Sequence, residues 1–140
     1  MKELFVFADG GARGNPGPAA VGVYIEDKNK KEIKSIDKRI GNATNNIAEY
    51  MAVIEALSWM IEVNSTDEGY DKINLYLDSQ LVYSQLVGLY KVKNSELREK
   101  LFAVKEKEAQ LKIPIFYNLI PREKNKKADL LVNKALDNSL

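Results

Sequence analysis

Apolar residues fall in short strand-like runs up to Ile40 and recur at helical spacing from Ile47 on, and that change of period points to a mixed α/β fold. Leu4-Phe5-Val6-Phe7-Ala8 is an unbroken apolar run, as expected of a strand buried on both faces. The segment Asp9 to Pro18 is rich in turn formers and predicts a turn. Val21–Ile25 reads as a second strand and Glu32–Ile40 as a third, with irregular alternation at Ile33, Ile36 and Ile40 that suggests a bulge. Short links between these three predict an antiparallel meander. Ile47, Met51, Ile54, Leu57 and Ile61 predict an amphipathic helix over 46–62. A loop over 64–71, a fourth strand at Ile73–Leu77, a short helix from Ser79 to Leu86 and a longer helix capped by Ser95 follow. Ile113–Ile120 reads as a fifth strand and 126–137 as a final helix. Strand–helix–strand crossovers are almost always right-handed and parallel. The fourth and fifth strands should therefore run parallel to one strand of the meander, with helices covering the sheet.

The same chain excludes much chemistry. It has no Cys and no His, so it offers no disulfide, no thiolate or imidazole ligand and no Ser–His–Asp triad. Its 140 residues fit one domain, 1–140, and no apolar run approaches the length needed to cross a bilayer. Met1-Lys2-Glu3 leads straight into the first strand, which gives the expectation of a leaderless, cytoplasmic protein. The net charge is only +1, so a nucleic-acid partner would have to be gripped by local clusters.

Chemistry at neutral pH then falls to carboxylates. Asp9 ends the first strand and Asp78 the fourth, and ligands gather at the carboxyl ends of strands in open α/β sheets. Glu49 stands in the first turn of the first helix and Asp129 in the first turn of the last. Each residue alone also fits a local role: Asp9 as a turn former, Asn46-x-x-Glu49 as a near capping box, Asp78-Ser79 as a cap, Asp129 as a complement to the helix dipole. As a set they suit Mg²⁺ or Mn²⁺, hard cations that take oxygen ligands. Two such ions about 3.5–4 Å apart can clamp the attacking and leaving oxygens of a phosphodiester.

Four segments in order resemble type 1 ribonuclease H. Asp9-Gly10-Gly11-Ala12-Arg13-Gly14-Asn15-Pro16-Gly17-Pro18 is similar to its opening DG-x-x-x-GNPGP signature, and Thr44-Asn45-Asn46-Ile47-Ala48-Glu49 to its TNN-x-x-E segment. Asp78-Ser79-Gln80 and Ala128-Asp129-Leu130 are similar to its DSQ segment and last-helix start. The resemblance implies a five-stranded mixed sheet flanked by helices. It implies an endonuclease that cuts the RNA strand of RNA–DNA hybrids, leaving 5′-phosphate and 3′-hydroxyl ends. It assigns Asp9, Glu49, Asp78 and Asp129 to two catalytic metal ions, and Gly10, Asn15, Thr44, Asn45, Asn46, Gln80, Arg122 and Asn125 to substrate binding. A monomer without membrane attachment is expected.

Two departures matter. Many relatives carry a His before the last helix, where this chain has Pro121-Arg122-Glu123-Lys124-Asn125, so Arg122 or Glu123 is expected to stand in for it. Some relatives also carry a long basic protrusion, replaced here by Gly88–Asn94. Lys91, Lys93, Arg122, Lys124, Lys126 and Lys127 are then candidates for holding phosphates, beside the plainer reading of the lysines as solvated surface. Double-stranded RNA as the main substrate and a non-catalytic nucleic-acid-binding module are the alternatives.

Overall fold

Five strands make one twisted sheet in the order β3-β2-β1-β4-β5: β1 Glu3–Ala12, β2 Gly17–Glu26, β3 Glu32–Ala43, β4 Lys72–Leu77 and β5 Ile115–Leu119. The computed structural model describes residues 2–64 and 69–138. Strands β1, β2 and β3 pair antiparallel, while β4 pairs parallel with both β1 and β5. The helices are α1 Asn45–Asn64, α2 Gln80–Leu86, α3 Ser95–Leu111 and α4 Lys126–Asp137, with one 3-10 turn at Arg122–Lys124. This is the mixed sheet flanked by helices that the period change implies. Among the described residues no helix is long and apolar enough to cross a membrane.

Several boundaries move, each for a local reason. The turn expected from Asp9 to Pro18 shrinks to four residues, because β1 continues through Ala12 and β2 begins at Gly17. Gly10 and Gly11 stay in the ladder opposite Val21 and Ala20, and glycine at position 10 serves close packing inside a strand. The suspected irregularity in β3 is real. The β2 register steps from Gly41 to Arg39 and from Lys34 to Glu32, which passes over Ile40 and Ile33. Asn94, not Ser95, caps α3, its Oδ1 accepting from the Leu97 amide at 3.0 Å. Strand β5 starts at Ile115 rather than Ile113, after Pro114, which lacks the N–H a ladder needs. The expected 64–71 loop lies partly outside the described residues.

The two sheet faces differ. On one, Leu4, Val6, Val21, Val23, Ile73 and Leu75 pack under α1, α2 and α3 into a large apolar core. On the other, α4 rests on β2, β1 and β3 through a small cluster of Ala20, Val132, Ala135 and Leu136.

Candidate active site

Two adjacent strands and two helices meet at one edge of the sheet. The pairing of β1 with β4 ends at Phe7 and Tyr76, and two residues further on the same faces stand Asp9 and Asp78. Asp9 is thus the seventh residue of a ten-residue strand rather than its last, but it marks the point where β4 leaves it.

Two glycines set the helices. A Cβ on Gly10 would lie 2.1 Å from the Ala48 carbonyl oxygen and 2.5 Å from the Glu49 nitrogen, so only glycine lets α1 come this close. The same contact delivers Glu49: its Oε1 accepts the Gly10 amide at 2.8 Å. Opposite Asp9 in the ladder is Gly22, where a Cβ would lie 2.3 Å from the Ala128 oxygen of α4. That approach, on the other face, delivers Asp129. Glu49 falls in the second turn of α1 rather than the first, because the helix begins at Asn45. The cap there is Thr44, whose Oγ1 accepts the Ile47 amide at 3.2 Å, so Asn46 and Glu49 form no capping box.

Carboxylate oxygens of Asp9, Glu49 and Asp78 lie within 4.8 Å of one another. Asp129 lines the same groove and acts electrostatically on Asp9, but stands outside that tighter group. Burial, with the nearby charges of Asp78 and Asp129, pushes Asp9 up to about 6. Burial and the neighbouring Asp9 hold Glu49 well above the ordinary carboxylate range. A group of crowded, oxygen-only donors whose charged forms repel is what a hard divalent cation relieves, so these residues fit Mg²⁺ or Mn²⁺.

The residues assigned to substrate sort into three groups. Asn45, Asn46 and Arg122 line the groove. Asn15 and Asn45 brace the site with their oxygens: Asn15 Oδ1 accepts the Asn45 amide at 3.0 Å and Asn45 Oδ1 accepts the Ala12 amide at 2.9 Å. Both residues are exposed. Gln80 is exposed at the start of α2, while Thr44 is engaged as a cap.

Gly10 lines the groove and Asn125 lies beneath it, and both are engaged within the protein. The Gly10 amide is taken by Glu49, and Asn125 is 1% exposed. The Asn125 Nδ2 donates to the Ala8 carbonyl at 3.0 Å and to Asp78 Oδ2 at 2.9 Å, so it orients a carboxylate instead of facing a substrate. Its Oδ1 is buried without a protein partner.

In place of the loop histidine, Arg122 faces the groove while Glu123 lines a separate depression over Phe7 and Tyr24. Lys127, counted among the phosphate candidates, turns to that same side. Its Nζ donates to Tyr24 Oη at 3.2 Å and sits 4.4 Å above the Tyr24 ring. Sequence reasoning missed Arg13, Ser79 and Asn133 on the groove wall. Asn133 follows Asp129 by four residues and so shares its helix face, a spacing that was available in the sequence.

The RNase H family model matches residues 1–137. A bifunctional protein of Mycobacterium tuberculosis is 36% identical over 136 residues, which cover 96% of this chain and 36% of that protein, so the chain spans about a third of the length of such relatives. The crystal structure of RNase H1 from the archaeon Halobacterium salinarum superposes with a TM-score of 0.87 at 39% identity, covering 98% of this chain and 99% of that one. LC11-RNase H1, solved in complex with an RNA/DNA hybrid, has a TM-score of 0.87 at 39% identity over 96% of each chain.

Proposed function

The chain belongs to the ribonuclease H family, and from that premise we propose that it is an endonuclease that hydrolyses the RNA strand of RNA–DNA hybrids with Mg²⁺ or Mn²⁺. The observation that carries this reading is the convergence of Asp9, Glu49 and Asp78, with Asp129 beside them, from four separate elements onto one groove. In the proposal all four are metal ligands. What divalent cations supply, when held there, is neutralised phosphate charge and an activated water.

The chain's own residues do the rest. Asn15, Asn45 and Asn46 present side-chain N–H donors beside the groove, suited to phosphate oxygens and to the 2′-OH that marks RNA. Gln80 stands exposed at the start of α2, and Thr44 keeps the start of α1 in place. Arg122 carries permanent positive charge and cannot accept a proton, so it replaces a loop histidine only as a phosphate contact. Asn125 keeps the Asp78 carboxylate turned into the groove. In the hydrolysis, a water oxygen bonds to phosphorus as the bond to the 3′ oxygen breaks. The departing oxygen takes a proton, leaving a 3′-hydroxyl and a 5′-phosphate.

The test is incubation with end-labelled hybrid and with double-stranded RNA, in Mg²⁺, in Mn²⁺ and in chelator, beside an Asp78→Asn variant. The expected result is metal-dependent cleavage of the hybrid's RNA strand by the parent protein alone. Hybrid left intact under every metal condition would overturn the proposal, and preference for the RNA duplex would move its substrate.

A further inference from the structure

Arg13 stands at the start of the β1–β2 connection, on the wall of the carboxylate groove. Its backbone is fixed, the amide donating to the Pro18 carbonyl at 2.8 Å. Its side chain reaches across to α4, where Nη2 lies 2.6 Å from Asp137 Oδ1 and 3.4 Å from Asn133 Oδ1. Asp129, Asn133 and Asp137 are spaced by four residues and form one polar stripe along α4. The Arg13 end of this stripe is roughly 12 Å from Asp129 along the helix, at 1.5 Å per residue.

Three physical features make this pair easy to exchange for another anion. Asp137 sits in the last turn of α4, where a negative charge opposes the helix dipole, so the helix gains nothing from it without Arg13. Both side chains are open to solvent, at 48% and 64%, so little free energy holds them together. Among the described residues, Arg13 and Arg122 are also the two cations on a groove whose floor is acidic. They flank that floor, one entering from β1 and one from the turn before α4.

We propose that Arg13 is a phosphate-binding residue for the RNA strand, held by Asp137 until a phosphate displaces the carboxylate. The phosphate it takes neighbours the one at the carboxylates rather than being the scissile one. A planar guanidinium suits this exchange, because carboxylate and phosphate present the same bidentate pattern of oxygens. The inference rests on the nuclease reading above and adds to it a residue and a competing anion.

The test is a two-by-two cycle of Arg13→Ala and Asp137→Ala. Affinity for a fluorescein-labelled RNA–DNA hybrid is measured by anisotropy across a salt series. All four proteins carry Asp78→Asn so that the hybrid survives. Arg13→Ala should weaken binding about threefold to tenfold and lower the log–log salt slope by about one. Asp137→Ala should tighten binding about two- to fivefold, the range set by breaking an exposed ion pair. In the Arg13→Ala background the same Asp137 change should have no effect. Equal tightening in both backgrounds would mean that only long-range charge is felt, and would overturn the inference. So would weaker binding by Asp137→Ala accompanied by a falling Tm, which would make the pair a strut. If the parent protein cuts hybrid in Mg²⁺ and the cycle is additive, only this inference falls. If it neither cuts nor binds hybrid, the functional reading falls and takes this with it.

Discussion

Helices α1 and α4 reach the same aspartate from opposite faces of the sheet, each over a glycine, yet they are held very differently. Helix α1 has Ala48, Tyr50, Val53, Leu57 and Met60 fully or almost fully buried, and it carries Glu49 down with them. Helix α4 buries Ala128, Val132, Ala135 and Leu136 against the sheet, and its Asp129 remains only half-buried. The first contact makes its carboxylate part of the core. The second leaves its carboxylate on a smaller apolar cluster with no further helix packed behind it among the described residues. An active site built this way has one rigid wall and one adjustable wall around Asp9.

The largest effect should come from removing the residue both walls share. Asp9→Asn is expected to lower the hybrid cleavage rate by about 10³-fold or more, since a bound divalent ion contributes several kcal/mol of charge stabilisation. In chelator the same change should raise Tm, because a crowded negative charge is gone. A scanning-calorimetry trace beside the rate assay checks both.

The two glycines then separate the walls. Gly10→Ala pushes a methyl into backbone that cannot yield, and about 3 kcal/mol or more of stability should be lost in urea unfolding. Gly22→Ala meets a helix that can lift away, so the loss should be about 1–2 kcal/mol. Cleavage by the Gly22 variant should nevertheless fall about 10²-fold, as expected from a misplacement on the order of 1 Å in a catalytic group. Equal stability losses for the two substitutions would break the comparison.

A finer test acts on the Asp78 side. Asn125→Ala removes the amide that orients Asp78, and the metal concentration giving half-maximal cleavage should rise about 10- to 100-fold. Unfolding free energy should drop by only about 1 kcal/mol. An unchanged metal dependence would reduce Asn125 to a packing residue.

The smallest expected effect is one of pH. Asp9 titrates at about 6 in the folded protein against an ordinary 3.8. The folded state therefore binds more protons between these values than the unfolded chain does. This contribution is fully present below pH 3.8 and is lost as pH rises through 6. Metal-free protein should accordingly melt several degrees lower at pH 7.5 than at pH 5, and Mg²⁺ should restore most of the difference. Asp9→Asn should flatten the dependence. A metal-free Tm that rises from pH 5 to 7.5 in the parent and not in the variant would reverse the sign assigned to Asp9.

Much of this was legible in the sequence because the signals are local. The change of period at Ile47 announced the helix after the meander, the interruptions at Ile33 and Ile40 announced the bulges, and 126–137 gave the last helix without error. The four carboxylates were singled out as a set by their motifs, although Asp9 lies short of its strand end and Glu49 one turn into its helix. What stayed hidden depends on partners distant in sequence. Gly10 looks like a turn residue until α1 is seen lying against the strand. Asn125 reads as a polar loop residue until Ala8 and Asp78, 117 and 47 positions away, are found on its amide. Arg13 acquires meaning only with Asp137 beside it, 124 residues later. Pattern within a segment predicts what the segment forms, but not which surface it is pressed against.

The central claim is that residues from β1, α1, β4 and α4 converge to hold divalent cations. Its most direct test is a calorimetric titration of the purified protein with Mn²⁺ at pH 7.5, beside Asp9→Asn. Saturable binding by the parent, abolished in the variant although its fold is intact by circular dichroism, is the predicted result. Identical heats from both proteins would contradict the account.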